Sequence, residues 1–378
     1  MTLDPAIPWT SLPQATAWMR RWLATAALPV WATLGQDHAN GGFREALTPD
    51  GQVADPERRA RVQARQVFVF ARAADADFAG PWIAAARRGM EFFLTYARRA
   101  DGLLCTLMAP DGEVLESSAH IYDQAFALLA LAALAEADGA PRWTAEALRL
   151  RSALDARRHP PGGFREAGPH PFQATGHMHL LEAALAWEAA GGDARWATLA
   201  DEVAGLALTR FVGADGALRN AFDADWTPLA GDVIQPGHQF EWAWLLERWG
   251  RLRGRPDARA AARRLYAVGR LGVDAERGVA IGALSSDLLS VRDASARLWA
   301  QTEHLKAALI LGEEEHALQA ARSLRRYLQA PANGLWRDRM KGDGAFVDEA
   351  APASSFYHIL GAFLELEKTA GADRLAAA

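Results

Sequence analysis

From position 14 to position 369, stretches with apolar residues at i, i+3, i+4 and i+7 alternate with short breaks rich in glycine, proline, aspartate and asparagine. The stretches are dominated by Ala, Leu, Arg and Glu and read as amphipathic helices. Twelve are predicted, at 14–33, 61–75, 81–99, 120–137, 141–157, 177–190, 193–210, 236–252, 256–272, 296–311, 313–328 and 354–369. Breakers such as "ADGAPR" from 137 and "AGGDAR" from 190 split several into pairs, as antiparallel helical hairpins with short connections require.

The breaks themselves repeat. "GGFREA" stands at 41–46 and again at 162–167, and related turns follow as "DGLLCTL" from 101, "DGALRNAF" from 215, "RGVAIGAL" from 277 and "NGLWRDRM" from 333. Aligned on Gly42, Gly102, Gly163, Gly216, Gly278 and Gly334, they recur at intervals of 60, 61, 53, 62 and 56 residues, an internal period. Six hairpins form either an open solenoid or a closed ring. A solenoid needs polar terminal caps, yet the first and last helices each carry a strongly apolar face, which closure of one onto the other would bury. The fold expected is all-α, a single-domain (α/α)6 barrel over 1–378; the alternative is a two-domain helical protein split near 160. Arg44 with Glu45, and Arg165 with Glu166, are expected to form ion pairs that stabilise their turns.

Composition narrows the function. No run approaches the ~18 apolar residues of a membrane span, and the net charge of −5 is interspersed, leaving no basic stripe to follow a phosphate backbone. Neither a membrane nor nucleic acid is expected as a partner. "MTLDPAIPWTSLPQ" places prolines and an acid where a secretory signal needs a basic end and an apolar run, so a cytoplasmic location is expected. Cys105 is the single cysteine, which fits a reducing compartment and core packing. Lysines number three (Lys306, Lys341, Lys368), leaving few candidates for Schiff-base chemistry. Fourteen tryptophans favour a carbohydrate ligand, since such rings stack on apolar sugar faces.

The even-numbered helices begin with unusual side chains: Arg65 in the second; His120, Tyr122 and Asp123 in the fourth; His177, His179 and Glu182 in the sixth. His238 and Glu241 follow in the eighth, Trp299, Gln301, Glu303 and His304 in the tenth, Tyr357 and His358 in the twelfth. In a closed ring these starts share one rim, so the groups are expected to converge on a pocket. Helix N-termini there suit oxygens that become negative during reaction. A histidine or aspartate near a helix start is often only a cap or a satisfied core group, but six successive helices in phase favour a site. His177 and His179 point about 200° apart on a helix and cannot share an ion. His179 with Glu182, and His238 with Glu241, could chelate, but in the reverse order of the di-iron pattern; metal is a minor alternative, and the expectation is neither metal nor cofactor. No nucleophile elbow, phosphate loop or dinucleotide fingerprint occurs. Histidine dominates the rim, and proton transfer beside a carbonyl is the expected chemistry. Paired carboxylates for hydrolysis, from Asp123, Glu241 and Glu303, are the alternative.

"GHMHLLEA", "PGHQFEWAWLL", "WAQTEHLKA" and "ASSFYHI", in this order on a six-hairpin chain, resemble the N-acylglucosamine 2-epimerase family of sugar isomerases and epimerases. The resemblance runs from "RVQARQVFVFARA" to "SSFYHI", and "ASSFYHI" is most similar to the bacterial mannose isomerase branch. It implies an (α/α)6 barrel without a tightly held metal, and His238 and His358 as acid and base. It further implies substrate-binding or proton-relay roles for Arg65, His179 and Glu241, and contact of Trp299 with sugar. Tyr122 and Glu303 join the substrate-binding set from their place on the rim. Thr175 and Gly176 depart from the Asn-Pro that relatives often show. The reaction expected is aldose–ketose isomerisation, D-mannose with D-fructose, extending to D-lyxose with D-xylulose, through a cis-enediolate. His358 is expected to work at C2 and C1, His238 at ring opening with Glu241 orienting it, and Arg65 and His179 at the enediolate oxygens. The same residues would serve a 2-epimerase; a glycoside hydrolase or a non-catalytic scaffold are further alternatives. A monosaccharide is the expected partner, and the protein is expected to be a monomer or a homodimer.

Overall fold

The computed structural model describes residues 9–54 and 57–376; the reading of the N-terminal segment as lacking a signal falls largely on residues 1–8, outside them. α1 (Leu12–Trp22) passes through a π-turn (Leu23–Ala27) into α2 (Leu28–Thr33). Pro29 explains the turn, because it has no N–H to return to the carbonyl four residues back. There follow α3 (Ala60–Asp75), α4 (Trp82–Ala97), α5 (Ile121–Asp138), α6 (Pro141–Leu154), α7 (Ala174–Ala189) and α8 (Ala194–Leu206). The remainder are α9 (Pro236–Arg253), α10 (Pro256–Leu271), α11 (Leu298–Leu311), α12 (Glu314–Leu328) and α13 (Ser354–Ala376).

Every predicted helix is present. The largest displacement at a start is in α7, which begins three residues earlier than the periodicity placed it. Gln173 there is extended and bridged to Ala221, and the Ala174 N–H bonds the Asn220 carbonyl, so the helix starts where that bridge ends. The short β-pairs were not foreseen, among them the three-stranded sheet of Arg58–Arg59, Leu107–Met108 and Val114–Glu116. Strands of two or three residues are too short to show a period.

The chain divides into two compact units. In one, α3 packs on α4 and α5, α5 on α6 and α7, and α7 on α8. In the other, α9 packs on α10 and α11, α11 on α12 and α13, and α1 on α12 and α13. Each unit therefore has a row of three helices (α3, α5, α7; α9, α11, α13) backed by partners. The row helices are buried nearly all round, as α5 is from Asp123 to Leu134. The backing helices bury one stripe, as α12 does through Ala317, Ala320, Ala321, Leu324 and Leu328.

All six repeat glycines have left-handed φ, from 68° at Gly278 to 91° at Gly334, which only glycine adopts without cost. Each closes a small hairpin of one pattern: Arg44 N–H to Gly35 O, Cys105 to Ala97, Arg165 to Arg157, Arg219 to Phe211, Ile281 to Gly272 and Arg337 to Tyr327, all at 2.8–2.9 Å. Cys105 is a buried free thiol, as composition suggested. The ion pairs expected within "GGFREA" are not found among the described residues. Arg44 turns to Asp37 and Glu45 to Arg59, while Glu166 accepts from the N–H groups of Ile121 and Tyr122 and faces His120. Neighbouring residues in an extended segment point to opposite sides, so Glu166 is spent capping α5 across the turn.

Candidate active site

The row helices use their first turns in two distinct ways. The fourth residue of α3, α5, α7 and α11 reaches back to the glycine hairpin behind it. Gln63 accepts from the Phe43 N–H and donates to the Phe43 carbonyl, both at 2.7 Å. Gln124 does the same to Leu104 at 2.8 and 2.9 Å, and Gln301 to Ala280 at 2.8 and 2.9 Å. In α7 the place is taken by His177, whose Nε2 accepts from the Phe164 N–H at 2.9 Å while Nδ1 donates to the Gln173 carbonyl at 2.7 Å. That pattern needs a neutral ring, and burial holds His177 below its ordinary pKa. Gly163 leaves the room: a Cβ there would sit 2.6 Å from His177 Nε2.

The sixth residue lies two places on and about 200° round the helix. At this position stand Arg65 in α3, His179 in α7, Glu241 in α9 and Glu303 in α11. Each belongs to a polar cluster.

In the unit built on α3, α5 and α7, Arg65 donates to the Tyr122 hydroxyl at 2.7 Å and lies 4.1 Å above the Phe126 ring. His179 meets Tyr122 edge-on at 4.8 Å and Phe126 at 4.2 Å, and its Nδ1 is 3.2 Å from Glu182 Oε2. Sequence-predicted Arg65, Tyr122 and His179 are thus one cluster, held by Phe126, which the sequence reading passed over. Asp123 faces elsewhere: Oδ2 accepts from Thr106 at 2.8 Å and Arg61 lies 3.3 Å from Oδ1. Burial pushes its carboxyl above the usual range, with Arg61 opposing.

In the unit built on α9, α11 and α13, His358 Nδ1 is 2.8 Å from Glu303 Oε1, and Lys306 Nζ is 2.7 Å from Glu303 Oε2. An ionised carboxylate only accepts, so it places a proton on Nδ1, and in the neutral ring the lone pair is then on Nε2. Oxygen atoms of Glu241 and Glu303 and a ring nitrogen of His358 lie within 4.8 Å of one another. Trp299 is half-buried, 5.2 Å from the His238 ring and 5.9 Å from the His358 ring. Its indole rests on Gly237, where a Cβ would come within 2.4 Å. His238, Glu241, Trp299, Glu303 and His358 therefore gather within this unit. This carboxylate–imidazole donor set suits a divalent ion in kind but poorly in charge, because the Lys306 ammonium occupies one face of Glu303.

His304 leaves the predicted group. It faces α10, stacked on Phe240 at 4.5 Å with Arg270 3.4 Å from Nε2, and burial drives its pKa down to about 3. His120 sits at the start of α5 beside Glu166, which raises its pKa.

No helix among the described residues is long and apolar enough to cross a membrane. The family model for N-acylglucosamine 2-epimerase matches residues 41–362. A relative from Rhizobium meliloti (strain 1021), named mannose-6-phosphate isomerase, is 45% identical over 370 residues, covering 92% of this chain and 95% of its own. The Bacteroides fragilis cellobiose 2-epimerase is 23% identical over 86% of this chain and 91% of its own. Among solved structures, a D-mannose isomerase superposes with a TM-score of 0.85 over 97% of this chain and all of its own, at 20% identity. A cellobiose 2-epimerase from Spirochaeta thermophila does so at 0.84 over 98% of each chain, at 23% identity. These likenesses show the fold class that the hairpin count implied, the all-α (α/α)6 barrel. The family match and the Rhizobium relative show more: this enzyme belongs to the N-acylglucosamine 2-epimerase family of sugar isomerases and epimerases.

Proposed function

We propose that the protein is an aldose–ketose isomerase acting on free D-mannose and D-fructose. The observation that carries this reading is the His358–Glu303 contact at 2.8 Å, which fixes the proton on Nδ1 and makes Nε2 a base. Support for mannose–fructose chemistry comes from the Rhizobium relative, whose name specifies the 6-phosphate, and from the fold shared with a solved D-mannose isomerase.

His238 assists opening of the sugar ring. His358 Nε2 then takes the C2 proton of the open aldehyde, and the C2–H electron pair becomes the C1=C2 bond of a cis-enediolate. The same imidazolium returns the proton to C1, while O1 gains a proton and O2 loses one to become the ketone. Loss of a proton beside a carbonyl is steeply uphill unless the oxygen charge is met by fixed donors. The family resemblance gives this role to Arg65, a permanent cation with a planar donor fork, and to His179. Glu303 keeps His358 in the correct tautomer, Glu241 tunes the same cluster, and Trp299 offers a ring to the sugar face.

The free sugar is preferred to its phosphate because Arg59 and Arg61, at the start of α3, are offset by Glu45 at 2.7 Å and Asp123 at 3.3 Å. Incubation of D-mannose in heavy water followed by sugar analysis tests the reading: fructose is the expected first product, and mannose 6-phosphate is expected to turn over far more slowly. Glucose as first product would replace isomerisation by 2-epimerisation. His358→Asn and His238→Ala should each lower kcat by about two orders of magnitude or more with folding intact, and near-normal turnover in either would remove its assigned role.

A further inference from the structure

Lys306 is a buried lysine, 2% exposed. It lies one helical turn beyond Glu303 on α11, and its ammonium sits 3.8 Å above the ring of Trp244 on α9. Arg248 covers the same indole at 4.4 Å. A buried cation persists when a counter-charge and a polarisable partner replace its water; here these are Glu303 Oε2 at 2.7 Å and the Trp244 ring. Glu303 is wholly buried and is thus held at both oxygens, by Lys306 on one and His358 on the other.

Among the described residues of this unit, Glu241 from α9 and Glu303 from α11 bring charge beside His358, with Lys306 behind Glu303. Two desolvated carboxylates beside an imidazole would draw a proton into the cluster. Taken by Glu303 or by His358, it would end the pairing of an ionised Glu303 with a neutral His358. An ammonium bonded to Glu303 offsets one of those negative charges.

We propose that Lys306 is a positioning residue that keeps Glu303 ionised and turned toward His358, so that His358 remains a neutral imidazole with its Nε2 lone pair available at and below neutral pH. This rests on the reading of His358 as the base at C2 and C1. Lys306 acts through Glu303, so its loss is expected to move the pH dependence of turnover rather than sugar binding.

The test is the pH profile of kcat/KM for mannose isomerisation in wild type, Lys306→Met, Lys306→Gln and Lys306→Arg. Removing a unit charge a few ångströms from the cluster, at an effective permittivity of about 20, should move the acid limb up by about one to two pH units. Both neutral variants should show this shift, losing about tenfold or more at pH 6 and recovering toward wild type above pH 8, with KM little changed. Lys306→Arg should restore the limb. An acid limb left in place in folded Lys306→Met or Lys306→Gln overturns the proposal, as does a loss equal at all pH values. His358→Asn separates the two levels of inference: if it still turns over mannose, the base assignment fails. If it is inactive while the acid limb of the lysine variants stays fixed, only the role of Lys306 fails.

Discussion

Acid should destabilise this protein through His304 by an amount that a single substitution removes. The ring is buried against Phe240 at 4.5 Å, Arg270 adds a nearby positive charge, and the Nδ1 atom finds no hydrogen-bond partner among the described residues. Its pKa in the folded protein is about 3, against roughly 6.5 in an unfolded chain. With the folded value depressed, the unfolded state binds the extra proton. The contribution to stability is therefore complete above pH ~6.5 and is lost as pH falls toward the folded value, by about 1.4 kcal/mol per pH unit. Between pH 7 and pH 5 this amounts to about 2 kcal/mol from His304 alone. His304→Phe keeps a flat ring stacked on Phe240 and gives up only the contact with Arg270, which retains Gln319 at 3.1 Å. The assay is urea unfolding of both proteins at pH 7, 6 and 5, and the quantity read is their difference, in which the carboxylates common to both cancel. The variant should gain about 2 kcal/mol on wild type between pH 7 and pH 5. Two stability curves that run parallel over this range would refute the reasoning, because His304 would then bind its proton equally in both states.

Two further substitutions probe how the site is carried. Gln124→Leu strips both hydrogen bonds from the Leu104 backbone and leaves a buried N–H and C=O unmet. A loss of about 2–4 kcal/mol in denaturant unfolding is expected, and a loss below about 0.5 kcal/mol would show the clamp to be unnecessary. Gly237→Ala puts a methyl 2.4 Å from the Trp299 ring and must displace the indole from its place beside His238. We expect a changed tryptophan fluorescence and a fall in kcat/KM of about ten- to a hundredfold, with the far-ultraviolet circular dichroism retained.

Much of the fold was legible because two long-range regularities write it into the chain. The 3.6 period marks each helix. The recurring glycine marks each hairpin, since the left-handed φ at Gly42, Gly102, Gly163, Gly216, Gly278 and Gly334 leaves little alternative residue. The short strands and the direction of side chains at the turns were not legible. Arg44 and Glu45 are adjacent in sequence and opposite in charge, yet they answer to Asp37 and Arg59, partners whose proximity only the folded chain creates. Residue types in phase led to the candidate residues Arg65, Tyr122 and His179 in one unit and His238, Glu241, Trp299, Glu303 and His358 in the other. The same filter also admitted His177 and His304, which are a hairpin clamp and a ring packed against α10. It overlooked Lys306, because a lysine deep in an Ala- and Leu-rich helix shows nothing in sequence of the two partners that hold it.

The distinction that composition could not make was available in helical position. Gln63, Gln124, His177 and Gln301 all stand fourth in their helices and bond the hairpin behind, and Gln239 stands fourth in α9. Arg65, His179, Glu241 and Glu303 stand sixth. Two residues along an α-helix is about 200° of rotation, so a group that serves the scaffold and a group that serves the site can occupy the same turn without competing. His177 and His179 are the sharpest instance. They share a residue type, a helix and near-complete burial, but one is consumed at both nitrogens by backbone groups while the other joins Glu182, Tyr122 and Phe126. The repeat thus does more than multiply hairpins. It fixes a register in which α3, α5, α7 and α11 are anchored through the fourth residue, while in α3, α7, α9 and α11 the sixth carries a polar group that differs from one repeat to the next.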